Sequence, residues 1–166
     1  LMKNLNMHKK ADQLLAAKSE QSGDHLTAAK IALQHKDYAR AADYFERANQ
    51  FDQAAENYEK AQAYLLAAEA YFRAENLPKA AEMYKSSGNL DTAAQLYEQL
   101  KDFDTAVKLH VQSQNYIRGA ELLMGSEKTE EALRLLLRVP DHHPSQRMVK
   151  KLKALGYFRL NKIESG

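Results

Sequence analysis

The sequence contains no cysteine and no tryptophan, and it has only 3 prolines and 6 glycines among 166 residues. Without cysteine the chain can form no disulfide, thiolate nucleophile or cysteine-ligated zinc site, and a reducing compartment is compatible with this composition. Because proline and glycine interrupt helices, their scarcity favours helical structure. The 26 alanines, residues with the highest helix propensity, favour it further. We therefore predict an all-α chain.

Long apolar runs are also missing. No stretch approaches the roughly 18 consecutive apolar residues of a membrane-spanning helix, and the start of the chain lacks a signal-peptide pattern. Since the sequence begins at Leu1 rather than at Met, we expect it to be an excised piece of a longer protein located in the cytoplasm.

The net charge of +2 is unevenly distributed along the chain. Residues 1–141 carry 18 Lys and Arg against 21 Asp and Glu, whereas residues 142–166 carry 6 against 1. This asymmetry, together with the repeat below, predicts three parts. Residues 1–24 form an N-terminal helical segment resembling a degenerate repeat, residues 25–141 a repeat array, and residues 142–166 a basic capping helix and tail.

An internal repeat of thirteen residues organises most of the chain. Eight gapless blocks begin at Tyr38, Phe51, Tyr64, Leu77, Leu90, Phe103, Tyr116 and Thr129, and the register extends faintly back to His25 and Asp12. Alanine fills 13 of the 16 fourth and fifth places in these eight blocks. The eighth place usually holds a ring, as in Phe45, Tyr58, Tyr71, Tyr84, Tyr97 and His110. A fixed period of this kind predicts a repeat architecture.

The apolar places of each block are one, four, five, eight and eleven, and their spacing of three and four predicts a helical stripe. Turn residues such as Asn49 and Gly88 end each helix after about ten residues, and Asp52, Asp91 and Asp104 are expected to be N-caps. Short helices joined by tight turns pack antiparallel. We predict a right-handed α-solenoid of stacked antiparallel helix hairpins, with an irregular helix bundle as the alternative.

The pattern of alanine, a ring four residues later and a small residue three further on resembles the second helix of the tetratricopeptide family. It occurs as Ala67–Tyr71–Ala74 and as Ala80–Tyr84–Ser87. The resemblance covers residues 25–141, although the two-helix unit has 26 residues rather than about 34. Short-helix solenoids such as the vesicle-fusion adaptor SNAP are similar. The resemblance implies a scaffold that binds proteins or peptides.

No motif for catalysis, a cofactor or a metal is present. The sequence lacks a phosphate-binding loop, a dinucleotide-binding fingerprint, GxSxG and HExxH. None of the six histidines lies three or four residues from another with a supporting carboxylate. Acid–base pairs such as Glu56–Lys60 have the i,i+4 spacing of a solvated helix face. We therefore expect no enzymatic activity and no cofactor or metal site.

Three large apolar residues, Tyr44, Leu66 and Phe72, fall at places that should be polar. If alternate blocks share a layer, Tyr44 and Phe72 lie on the same side, near three arginines. Exposed aromatics beside arginines are typical of interface hot spots. The candidate partner-binding residues are Arg40, Tyr44, Arg47, Leu66, Phe72 and Arg73. The alternative is that these residues pack against neighbouring hairpins.

The basic tail predicts one more helix, capped by Ser145 and ending at Gly156. Its apolar face is expected to contain Met148, Val149, Leu152 and Leu155, and its basic face Arg147, Lys150, Lys151 and Lys153. A capping helix with a charged outer face is the preferred interpretation. We thus expect an adaptor that binds a protein or peptide. Self-association of the chain is a second expected interaction. The alternative function is contact with a membrane surface or nucleic acid through the basic tail.

Overall fold

The computed structural model describes residues 14–15 and 17–164, and the predicted segment 1–24 therefore lies partly outside the described residues. Residues 17–22 are helical. The following helices are α1 His25–Gln34, α2 Tyr38–Arg47, α3 Phe51–Lys60, α4 Tyr64–Arg73, α5 Leu77–Ser86, α6 Leu90–Gln99, α7 Phe103–Gln112, α8 Tyr116–Gly125, α9 Thr129–Leu136 and α10 Gln146–Glu164. The described chain contains no strand. The all-α prediction is confirmed.

A left-handed residue at the twelfth place of the block ends the helical segment before α1 and each of the helices α1 to α8. The nine residues with positive φ recur every thirteen positions: Gly23, Lys36, Asn49, Gln62, Glu75, Gly88, Lys101, Gln114 and Glu127. At the turn after α2, the amide of Asn49 donates to the carbonyl of Glu46 at 2.9 Å, and the amide of Gln50 donates to the carbonyl of Phe45 at 2.8 Å. This pair of bonds is the Schellman motif, which satisfies the last carbonyls of a helix.

The thirteenth place is the N-cap of the next helix. Side chains there accept a bond from the backbone amide three residues on in five cases: Asp24, Asp37, Asn76, Asp102 and Asn115. The prediction that Asp52, Asp91 and Asp104 are N-caps is wrong, because these residues lie inside the first helical turn. The residue at the thirteenth place both completes a Schellman motif and is the N-cap of the next helix. No further linker residues separate the helices, and ten helical residues plus three turn residues give the period of thirteen.

The chain forms two compact units that divide between Asn89 and Leu90. Within each unit, every helix packs against the next along the chain, which is the arrangement of an α-solenoid. Alternate helices also lie next to one another within each unit. In the first unit Arg73 of α4 pairs with Glu46 of α2, and in the second Arg118 of α8 pairs with Glu98 of α6.

The paired alanines form the centre of both units. Each alanine at a fourth or fifth place from Ala28 to Ala132 is buried, and most have no exposed surface. Tyr58 and Tyr71 of the eighth place are buried beside them. Gly119 takes the place of one such alanine, and a Cβ atom there would lie 3.2 Å from Cδ1 of Leu135. The predicted stripe of small residues therefore sets the close approach of the helices.

The last helix differs from its prediction at one end. It begins beside Ser145 as expected but continues past Gly156 to Glu164. Gly156 is buried, and a Cβ atom there would lie 2.8 Å from Cδ2 of Leu133. The glycine therefore allows close helix packing and does not end the helix. In the described part of the chain, no helix is long and apolar enough to cross a membrane.

Candidate functional site

Tyr44, the first predicted contact residue, is buried rather than exposed. Only 3% of its surface is accessible, and its hydroxyl donates to the carboxylate of Glu20. Burial raises the pKa of the Tyr44 hydroxyl, and the bond to Glu20 raises it further. The prediction of an exposed ring is therefore wrong at Tyr44, because a solenoid helix packs against neighbours on both sides. The guanidinium of Arg47 lies 5.9 Å from the ring centroid.

Leu66 and Phe72 are exposed, and Leu65 lies with them on α4. Their accessible fractions are 45% for Leu65, 45% for Leu66 and 50% for Phe72. Leu65 and Phe72 are seven residues apart and so lie along one line of the helix, whereas Leu66 lies about 100° further around the exposed side. We call these three residues the α4 patch. The sequence analysis did not identify Leu65 as a candidate. A comparison of the residues at the second place of successive blocks would have identified it.

The same three places on α2 and α3 are small or polar. On α2 they hold Ala39, Arg40 and Glu46, and on α3 they hold Asp52, Gln53 and Glu59. The repeat thus provides an internal comparison, since these helices have the same length and pack in the same way. The packing of the solenoid does not require large apolar side chains at these places.

The predicted arginines have different environments. Arg73 stacks its guanidinium 4.1 Å from the centroid of Phe51 and also pairs with Glu46. Arg40 is exposed, and its backbone amide donates to the side chain of Asp37 at 3.2 Å. Arg73 therefore borders the α4 patch while its charge is already partly compensated, which leaves the patch mainly apolar.

Carboxylates next to the patch hold tyrosine hydroxyls of the following helix. Tyr58 donates to Asp43 at 2.7 Å and to Glu46 at 3.0 Å, and Tyr71 donates to Glu59 at 3.1 Å. Glu46 and Glu59 occupy the ninth place, twelve residues before their tyrosines. Phe72 occupies that ninth place on α4. A phenyl ring therefore stands where the two preceding helices carry a glutamate.

The hydroxyls of these tyrosines are kept protonated. Burial raises the pKa of Tyr58 well above the ordinary value of 10.0, and the bonds to Asp43 and Glu46 add to the rise. Burial and Glu59 raise the pKa of Tyr71 in the same way. A phenol that stays neutral acts as a hydrogen-bond donor, so these groups fix the helix faces and do not act as bases.

Two shallow depressions lie beside these groups. One has a volume of about 380 Å³ and is lined by Asp43, Glu46 and Arg47. The other has a volume of about 350 Å³, and its lining consists of Glu56, Glu59, Lys60, Tyr71 and Lys79. Both have mixed charge and are open to solvent.

A related carboxylate cluster occurs in the second unit. Glu98 on α6 lies 2.8 Å from Nε2 of buried His110 on α7 and also accepts from Arg118 on α8. Burial of Glu98 opposes its charge, but the bonds from Arg118 and His110 outweigh this and lower its pKa. Like Glu46, Glu98 therefore links three successive helices. Among the described residues, no group of three or more acidic or histidine side chains is placed to hold a metal.

The candidate basic residues lie on α10. Arg147, Lys150 and Lys151 are exposed, and Lys153 is half-buried. The apolar face predicted for this helix is only partly correct. Val149 is buried and Leu152 half-buried, whereas Met148 and Leu155 are exposed. Relative to the predicted apolar face, the buried face of α10 is therefore rotated toward Gly156.

Comparison with known proteins adds no family to this description. No protein-family model matches the chain, and no curated protein matches it either. The architecture itself, consecutive short helices packed on their neighbours, is that of a helical repeat solenoid.

Proposed function

We propose that this chain is a tetratricopeptide-like, non-enzymatic adaptor module that binds a protein or peptide partner through the α4 patch. The observation that carries this proposal is the exposure of Leu65, Leu66 and Phe72 on α4, since α2 and α3 are polar or small at the same places. Exposed apolar side chains are unfavourable in water. When the fold does not require them, we expect them to form a contact surface for a partner.

The apolar side chains of the patch would contribute part of the free energy of binding. Complete burial of a Leu or Phe side chain contributes about 1.5–3 kcal/mol, and roughly half of each side chain in the patch is still accessible. Covering all three would thus contribute on the order of 3–4 kcal/mol. The patch lies on a helix fixed from both sides, so little ordering cost opposes binding.

The polar groups around the patch support a scaffold more than a catalyst. Asp43, Glu46 and Glu59 accept hydrogen bonds from tyrosines, and Glu46 also pairs with Arg73. These bonds join successive helices. They also occupy the carboxylates that would otherwise be candidates for a catalytic acid or base. The result is a rigid surface with an apolar centre.

The test uses substitutions taken from the neighbouring repeats. Leu65→Ala, Leu66→Arg and Phe72→Glu together give α4 the residues that α2 carries at the same places. We expect the triple variant to keep the helical circular dichroism and melting temperature of the wild type. Binding to partners captured by the wild-type chain should fall at least about tenfold, measured with each purified partner by calorimetry.

A matched control changes equivalent places where no apolar patch exists. Gln53→Arg and Lys85→Glu alter the third place of α3 and the ninth place of α5. This control should bind as the wild type does. Undiminished binding by the triple variant would refute the proposal.

A further inference from the structure

In the part of the chain that the structure describes, helix α10 is attached to the second unit through one face. Val149 is fully buried in the cluster that contains Met124 and Leu136. Gly156 lies close to the side chains of Leu133 and Met124, and the guanidinium of Arg159 donates to the carbonyl of Met124 at 2.9 Å. These contacts fix the orientation of α10 and hence which side chains point away from the unit.

The opposite face exposes large apolar side chains. Phe158 is 67% accessible and Tyr157 54%, and Met148 and Leu155 are also exposed. Arg147, Lys151 and Phe158 follow one another at spacings of four and seven residues, so they lie along one line of the helix. We call the exposed set Arg147, Met148, Lys150, Lys151, Leu155, Tyr157 and Phe158 the α10 outer face.

Among the described residues, the cations of this face have no carboxylate partner. Within residues 17–161, Arg147, Lys150 and Lys151 form no ion pair, whereas Arg73, Arg118 and Lys128 do. No acidic residue occurs in α10 before Glu164, so the helix does not compensate its own charge. The outer face therefore combines uncompensated positive charge with exposed apolar surface.

We propose that the α10 outer face docks an acidic amphipathic segment of another protein. Carboxylates of that segment would meet Arg147, Lys150 and Lys151, and its apolar side chains would cover Leu155 and Phe158. Aromatic, Met and Arg side chains are the types enriched in protein interfaces. This site is separate in sequence from the α4 patch and does not depend on the function proposed for it.

The arrangement of the side chains favours a protein over a lipid surface. A helix lying in a membrane interface needs a continuous apolar strip with cations at its borders. On α10 the continuous strip contains Val149, Leu152 and Gly156 and faces the second unit. On the outer face cations alternate with apolar groups. Three exposed cations are also few for binding nucleic acid, which is dominated by phosphate contacts.

The test uses a synthetic probe and the full chain. The probe is a fluorescein-labelled peptide of about 20 residues with Leu and Phe at i, i+3, i+4 and i+7 and Glu elsewhere. Its control has Lys in place of every Glu. By fluorescence anisotropy, the chain should bind the acidic peptide at least about tenfold more tightly than the basic one, and binding should weaken as salt is added.

Variants of the outer face locate the contact. Lys150→Glu with Lys151→Glu should lower affinity for the acidic peptide at least about tenfold, and Phe158→Ser about fivefold. Lys85→Glu with Lys108→Glu provides the control, since both lysines are exposed on other helices. Each of these variants alters exposed side chains, and an unchanged melting temperature confirms that the fold is retained.

Three results would overturn the proposal. Equal binding of acidic and basic peptides would exclude charge recognition. Loss of binding in the α4 triple variant, but not in the α10 variants, would place the peptide on the α4 patch. Tighter binding to phosphatidylserine-containing vesicles or to poly-uridine RNA than to the acidic peptide, lost in the α10 variants, would assign the face to a membrane or nucleic acid.

Discussion

At the scale of single residues, a repeated pair joins successive helices at three places in the chain. A group at the eighth place meets the residue twelve positions earlier, at the ninth place of the preceding helix. The pairs Tyr58–Glu46, Tyr71–Glu59 and His110–Glu98 are polar. The pairing of a buried donor with a carboxylate explains how polar rings are accommodated between alanine-rich surfaces, since a buried polar group needs a partner.

The first prediction concerns Tyr58, whose hydroxyl donates to Asp43 and Glu46. Tyr58→Phe removes both bonds without changing the ring, so we expect the free energy of unfolding to fall by about 1.5 kcal/mol. Tyr64→Phe is the control, because no bond from the Tyr64 hydroxyl to a described residue is seen; its effect should stay within about 0.5 kcal/mol. Urea denaturation measures both, and equal losses would contradict a role for the hydroxyl.

The second prediction concerns Glu98, which links α6, α7 and α8. Glu98→Gln removes the charge that Arg118 and His110 meet, and we expect a loss of about 2 kcal/mol at neutral pH. Glu121→Gln removes a carboxylate that pairs with Arg118 alone, at 3.0 Å, and should cost less than about 1 kcal/mol.

The effect of Glu98 should depend on pH in a defined direction. Its pKa in the folded protein is below the ordinary value of 4.5. The stabilisation is therefore complete above about pH 4.5 and is lost as pH falls through the folded pKa. Urea denaturation across a pH series should show the wild type converging on Glu98→Gln at acid pH. Parallel curves would contradict this assignment.

The residue patterns differ in how well they could be read from sequence. The buried alanines were predictable because their places recur in every block. Burial of Tyr44 was not, because its partner Glu20 lies two blocks earlier and no repeated pair indicates it. On α10 the repeat no longer provides a comparison, so the face containing Leu155 was assigned to the core although it is exposed.

At the scale of the helices, the period of thirteen results from overlapping end signals. Ten residues form the helix, and three complete a Schellman motif whose last residue precedes the next helix. Seven of the nine left-handed positions hold residues other than glycine. The sequence therefore predicted the helices through their apolar places, whereas the caps were misplaced because the turn lacks a consistent glycine signal.

The third prediction uses Gly88, which has a φ of 83° and open space where a Cβ would lie. Gly88→Ala adds no clash, so only the cost of a left-handed backbone remains, about 1 kcal/mol of stability. Gly125 also has open space for a Cβ, and its φ is not in the left-handed region. Gly125→Ala should therefore stabilise the protein, by about 0.5 kcal/mol. Thermal and urea denaturation compare the two, and a stabilising Gly88→Ala would contradict the left-handed turn.

At the scale of the whole molecule, stability is distributed along the chain. Within each unit, each helix contacts mainly the helices before and after it, and ten-residue helices are marginal in isolation. In such an array the opening of one helix depends on its neighbours rather than on a single central core. An exposed helix face therefore has two consequences. It is available for binding, and the helix lacks a stabilising neighbour on that side.

The fourth prediction follows from this distribution within the second unit. Helix α8 packs against α7 and α9, whereas the outer face of α10 is uncovered. Opening α10 breaks contacts on one face, while opening α8 breaks contacts on two. Hydrogen exchange of the full chain, followed by mass spectrometry, should therefore show amides of α10 exchanging at least about tenfold faster than those of α8. Equal protection would mean that the unit opens as one cooperative block. Adding the acidic peptide probe should slow exchange in α10 and leave α8 unchanged, because only the outer face gains a neighbour.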